Sequence, residues 1–193
     1  MVVQSSVMGR FILLLMMGGI ALGWEVGIKI GNADIDWKGT DERTTIHGFV
    51  SFYLDGDYPM SPFLVLSPSL ELGFGRRSVG EFFCPDWGAC RLDLTYTTLE
   101  LNGKAKIMPV PHLDLYGGVG VSYSRFGIDA YDLPTGVQIG TITDERGAGF
   151  QAFAGFQVRI RGVGIGGEYK IKRVDTESVE GVDTLTFILS YRF

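Results

Sequence analysis

From Trp24 onward the chain alternates apolar and polar positions with period two, which is the pattern of strands whose two faces meet different surroundings. In the first such segment Trp24, Val26, Ile28 and Ile30 share one face, and Glu25, Gly27, Lys29 and Gly31 share the other. In the second, Ile46, Gly48, Val50, Phe52 and Leu54 oppose His47, Phe49, Ser51 and Tyr53. The third sets Leu64, Leu66, Pro68, Leu70, Leu72 and Phe74 against Val65, Ser67, Ser69, Glu71 and Gly73. Proline cannot donate to a ladder, so Pro68 predicts a bulge. The fourth sets Leu99, Leu101, Gly103, Ala105 and Ile107 against Thr98, Glu100, Asn102, Lys104 and Lys106. Above it Leu92, Leu94 and Tyr96 fall out of phase, which predicts a bulge or an inward apolar layer. Segments starting near Leu113, Phe150, Val163 and Leu185 repeat the pattern, and the last sets Leu185, Phe187, Leu189, Tyr191 and Phe193 against Thr184, Thr186, Ile188, Ser190 and Arg192.

Eight segments of about ten residues match the length that a tilted strand needs to cross hydrocarbon. The gaps between them alternate long (32–45, 75–91, 127–149, 173–183) and short (55–62, 108–112, 160–162), as a barrel with both ends on one side of a membrane requires. The expected fold is therefore all-β: an eight-stranded antiparallel up-and-down transmembrane β-barrel with short periplasmic turns and longer extracellular loops. The third long gap contains Pro134-Thr135-Gly136 between Ile128–Leu133 and Val137–Thr143, which predicts a protruding hairpin.

The opposite orientation, a soluble lipocalin-like binding barrel, would turn the apolar stripe inward. The residue sizes favour lipid outside. The polar face mixes glycine and serine with long charges, which suits an interior just wide enough to be filled by side chains. Trp24, Phe63, Phe74, Tyr123, Phe150, Tyr191 and Phe193 lie towards the ends of the apolar stripes, where rings meet headgroups.

Composition adds an address. Arg10, the apolar run Phe11–Ala21 and the small-x-small site Ala21-Leu22-Gly23 read as an export signal, dividing the chain into a cleaved segment 1–23 and a barrel 24–193. Without that segment 16 Lys and Arg face 22 Asp and Glu, a formal charge of −6, and no basic patch points to nucleic acid. An exported chain permits a disulfide between Cys84 and Cys90. Two cysteines and two histidines do not make a zinc signature, so neither a metal nor a cofactor is expected.

The closing segment, with Leu185, Phe187, Leu189, Tyr191 and terminal Phe193, resembles the C-terminal signal of bacterial outer-membrane barrels. The Tyr116–Tyr123 stretch is similar to their glycine-rich strands. On these residues the chain resembles the eight-stranded OmpA, OmpX and OmpW type, without a peptidoglycan-binding domain. The resemblance implies outer-membrane lipids as surroundings, the barrel-assembly machinery as a partner during biogenesis, and a monomer.

Function is less directly written. A charge network of Lys29, Glu71, Glu100, Lys104, Glu168 and Lys170 is expected to fill the lumen, because buried charges must be paired. Its functional counterpart would be a gate or ion path. Phe82, Phe83 and Trp87 around the cysteine pair are candidate contacts for an extracellular protein or surface ligand. No catalytic residue is identified, since neither His47 nor His112 accompanies a matching motif. The expected role is structural or adhesion-like, with a narrow pore, or an OmpW-like conduit for small hydrophobic molecules, as the alternative.

Overall fold

The computed structural model describes residues 23–84 and 88–193. The proposed export segment, apart from Gly23, lies outside the described residues, and so does Trp87. Eight strands follow in chain order: β1 (Gly23–Trp37), β2 (Arg43–Ser61), β3 (Leu64–Cys84), β4 (Gly88–Val110), β5 (Leu113–Asp132), β6 (Gln138–Ile160), β7 (Val163–Val174) and β8 (Val179–Arg192). Each pairs antiparallel with its neighbours, and β1 pairs with β8 to close the ring. Trp24 and Phe193 complete the seam by exchanging backbone hydrogen bonds of 3.0 and 2.9 Å. Closure leaves no sheet edge within the ring, the condition for strands to stand in hydrocarbon.

The side chains settle which face is which. Phe150 is 77% exposed and Val119 68%, whereas Lys29 and Glu71 are each 1% exposed. A soluble protein shows the reverse distribution. The apolar stripe therefore faces lipid and the charged stripe fills the lumen, which excludes the soluble binding barrel.

The strands run further than their apolar stripes. Among the described residues only 38–42, 133–137 and 175–178 separate them at the outer end, and 62–63, 111–112 and 161–162 at the inner end. The expected long loops are thus mostly strand. Beyond the bilayer a hydrogen-bonded ladder persists without an apolar outer stripe, so periodicity ends before pairing does. The hairpin expected at 128–143 is present: Asp132 N donates to Val137 O at 2.9 Å, and Gly136 N donates to Asp132 O at 2.8 Å, with Gly136 at φ 67°. Together β3–β6 form a four-stranded sheet that stands above the lipid belt.

Pro68 makes no bulge. The β3–β4 register is unbroken from Leu64↔Ile107 to Ser78↔Asp93. On the other side, pairing with β2 is interrupted between Asp55↔Ser69 and Tyr58↔Leu66 while the register is kept. The missing N–H is accommodated by leaving a gap in the ladder, which needs no extra residue.

The out-of-phase stretch in β4 is an inward apolar layer. Leu94 and Tyr96 join Ala33, Ile35, Ile46, Phe49, Phe126, Val174, Val179 and Val182 in a buried cluster across the outer end of the lumen. Tyr96 stacks on Phe49 and Phe126, with ring centroids 5.6 and 5.0 Å apart.

Candidate functional site

Beneath the apolar layer the inward stripe turns to charge. Lys172 Nζ donates to Glu100 Oε1 at 2.5 Å, and to the Tyr96 and Thr98 hydroxyls, each at 2.8 Å. Lys170 continues the chain to Glu100 Oε2 at 2.5 Å and Glu71 Oε2 at 3.0 Å. Lys29 then bridges Glu71 and Glu168, at 2.6 Å each. Three lysines and three glutamates from β1, β3, β4 and β7 form one neutral lattice. Ser51 donates to Glu71 at 2.7 Å, Tyr116 to Glu168 at 3.1 Å and Gln151 to Glu100 at 2.8 Å, so carboxylate lone pairs left by the lysines are also used. Full pairing is what lets charges remain buried.

Aromatic rings separate this lattice from a second one nearer the periplasm. Tyr53, Tyr116, Phe153 and Ile188 cluster there, and Lys104 Nζ lies 4.5 Å from the Tyr53 ring centroid. Lys104 pairs with Asp55 at 3.0 Å, and Lys106 with Asp55 at 3.2 Å and Asp57 at 2.9 Å. Arg159 reaches Glu25 at 2.9 Å and Asp114 at 2.6 Å, and Arg192 meets Asp57.

Five of the expected lumen charges, Lys29, Glu71, Glu100, Glu168 and Lys170, thus come together, while Lys104 belongs to the lower set. Asp55 and Asp57 escaped sequence reasoning because 55–62 reads as a turn. Their odd-number parity with Ser51 and Tyr53 was the available signal.

The remaining candidates sit outside the lumen. Leu185, Phe187, Leu189, Tyr191 and Phe193 are exposed on the lipid-facing side. Phe82 is exposed and Phe83 80% exposed near the end of the β3–β4 arm, where the Cys84 and Cys90 sulfurs are bonded and their Cα atoms lie 5.9 Å apart. His47 is exposed at the outer rim, its Nδ1 3.2 Å from Asn32 Oδ1, and His112 occupies an inner turn at φ 73°. The two histidines lie at opposite ends of the barrel.

On the outer wall of the β5–β6 arm, Asp144 accepts from Arg125 Nε at 2.7 Å and from an Arg146 terminal nitrogen at 2.9 Å. These bonds, Arg125 first, hold its carboxyl at about 2, below the usual aspartate range. A depressed pKa means that the ionised form's contribution is present above the unfolded value and is lost as pH falls through about 2. A carbon-detected NMR titration should place the Asp144 midpoint near 2. It should return to the ordinary aspartate range in Arg125→Gln/Arg146→Gln, and an unmoved midpoint would rule out the arginines as cause.

The family model for the outer membrane protein beta-barrel domain matches residues 16–193. The chain belongs to that family. As an outer membrane protein beta-barrel it resides in the bacterial outer membrane, with its apolar belt in lipid. Ail, the attachment invasion locus protein of Yersinia pestis, has a similar fold, with a TM-score of 0.59 and 14% identity over 89% of this chain and 98% of that one. A structure of Ail in complex with the heparin analogue sucrose octasulfate aligns at 0.57, again with 14% identity over 89% and 98% of the two chains. Neisserial surface protein A aligns at 0.57, with 11% identity over 88% of this chain and 95% of the other. No curated protein sequence matches the chain.

Proposed function

We propose that this outer membrane protein beta-barrel is a closed, non-catalytic scaffold that holds its β3–β6 arms out to a surface ligand, and does not act as a pore. The observation that carries the reading is the double filling of the lumen. An apolar layer stacked around Phe49, Tyr96 and Phe126 lies over a lattice in which Lys29, Lys170 and Lys172 neutralise Glu71, Glu100 and Glu168. An ion passing this stretch would have to break pairs and enter an apolar layer, and both steps oppose conduction. The arms supply what the lumen does not: exposed aromatic groups, Phe82 and Phe83, on a rigid sheet near the Cys84–Cys90 pair. The complex of Ail, a barrel of the same fold, with a heparin analogue supports a role in surface binding.

In this reading residues 1–23 direct export, the stripe Leu185–Phe193 serves the barrel-assembly machinery, and the protein works as a monomer. Purified protein in planar bilayers should give no reproducible channel steps. Steady conductance that weakens in Glu71→Gln or Glu100→Gln would replace the scaffold with a pore.

A further inference from the structure

The outer wall above the lipid belt carries arginine–aspartate clusters of unequal balance. Arg43 and Arg173 face two carboxylates, Asp36 and Asp183, at 2.7–3.9 Å. Arg76 and Arg91 share Asp93, and Arg76 also covers the Tyr131 ring, 4.4 Å from its centroid. Arg125 and Arg146 have the same two-to-one ratio as Arg76 and Arg91 but not the ring that covers both of those, since Arg91 too lies over Tyr131, 5.7 Å from its centroid. Arg125 and Arg146 stand directly opposite each other on β5 and β6, each 54% exposed, with Asp144 as the carboxylate shared between them. Like charges facing across an antiparallel pair oppose folding. Asp144 takes one nitrogen of each arginine and Tyr123 also engages Arg146, so the pair keeps a net positive charge with guanidinium N–H groups to spare, a locally unfavourable arrangement that an added anion would relieve.

Its depth identifies the anion's carrier. Tyr123 lies two residues inward of Arg125 on the same lipid-facing stripe, and Phe150 lies four inward of Arg146; both rings are exposed. Two residues of strand rise about 7 Å, and tilt reduces this to about 5 Å along the membrane normal. That is the thickness of a headgroup layer, about 5–7 Å per leaflet. Below the arginines, Val119, Val121, Ala148 and Ala152 form a lipid-facing surface beside Phe150, paired as Val119↔Ala152 and Val121↔Phe150. Alanines flanking a large ring leave room for an acyl chain.

We propose that Arg125 and Arg146 bind the phosphate of a phosphorylated outer-leaflet lipid whose acyl chains lie on the β5–β6 wall. Guanidinium forks match phosphate oxygens in pairs, and an interfacial setting strengthens such bonds. The site is absent from the lumen chemistry and independent of whether the barrel conducts.

The test is native mass spectrometry of the full barrel in detergent, offered lipid A, dephosphorylated lipid A or phosphatidylcholine. Retention of lipid A should exceed that of the other two, and should fall about fivefold or more in Arg125→Gln/Arg146→Gln, roughly 1 kcal/mol or more. Arg43→Gln/Arg173→Gln, which alters the balanced cluster, should retain lipid A as the parent does. A heat-dependent shift in gel mobility checks that each barrel is folded, and single Arg146→Gln serves with the same readout if the double variant does not fold. Equal retention by the site variant, or equal retention of the dephosphorylated lipid, overturns the proposal. Displacement of lipid A by millimolar inorganic phosphate also overturns it, by moving the site to a soluble anion.

Discussion

Glu100→Ala is expected to destabilise the barrel by about 3–5 kcal/mol, because it removes one member of a buried ionic lattice and leaves its partners charged. Lys170 keeps Glu71 at 3.0 Å and Glu168 at 3.6 Å. Lys172 has no such reserve: without Glu100 it retains only the Tyr96 and Thr98 hydroxyls. Gln151 loses its 2.8 Å acceptor as well. The loss should be read from urea unfolding in lipid vesicles, followed by tryptophan emission and by gel mobility of unheated samples. A change below about 1 kcal/mol would mean that water reaches the lattice and solvates the orphaned lysine. The pair Glu100→Gln/Lys172→Met supplies the control for mechanism. Neutralising both partners should cost clearly less than the sum of the single changes, since the penalty lies in the unpaired charge and not in the absence of the pair.

Tyr96→Ala is the second large effect, about 3–5 kcal/mol, from a cavity opened in the apolar layer. Tyr96 lies between Phe49 and Phe126, so its removal takes both stacking contacts at once. Tyr96→Phe keeps the ring and removes the acceptor 2.8 Å from Lys172, whose bonds to Thr98 and Glu100 remain. It should cost about 1 kcal/mol. Equal losses in the two variants would show that Tyr96 acts through its hydroxyl alone and that the ring stack does not hold the layer. The same unfolding assay measures both.

The two substitutions probe parts of the lumen that differ in how openly the sequence displays them. Glu71, Glu100, Glu168, Lys29 and Lys170 each interrupt a stripe of small or polar residues, so their common interior is legible from parity alone. The apolar layer is legible only as an anomaly. Leu94 and Tyr96 share the parity of Thr98 and Glu100, and only the unbroken β4–β5 register shows that they point inward with them. The arms were hidden for a related reason. Above the lipid belt the outward face carries Arg76, Asp93, Arg125 and Asp144 in place of Leu and Val, so hydrophobic alternation stops while the ladder continues to Cys84, Asp132 and Gln138.

What the sequence determined by itself is the number of spanning strands, the identity of most lumen charges and the lipid-facing side of each strand except at the outer end of β2, where a bulge at Gly48 turns Ile46 inward and His47 outward. Side-chain direction alternates residue by residue along any strand, and a bilayer sorts the two faces by polarity. What only the tertiary structure decided is which charges meet. Period two is indifferent to sliding one strand along the next by two residues, yet such a slide moves a side chain about 7 Å, further than a hydrogen bond reaches. The stagger around the closed ring therefore gives Lys104 to Asp55 instead of to the upper lattice, and brings Lys172 to Glu100. It also sets Arg125 opposite Arg146. These pairings are consequences of closure, which constrains all eight registers together, and no single strand contains them.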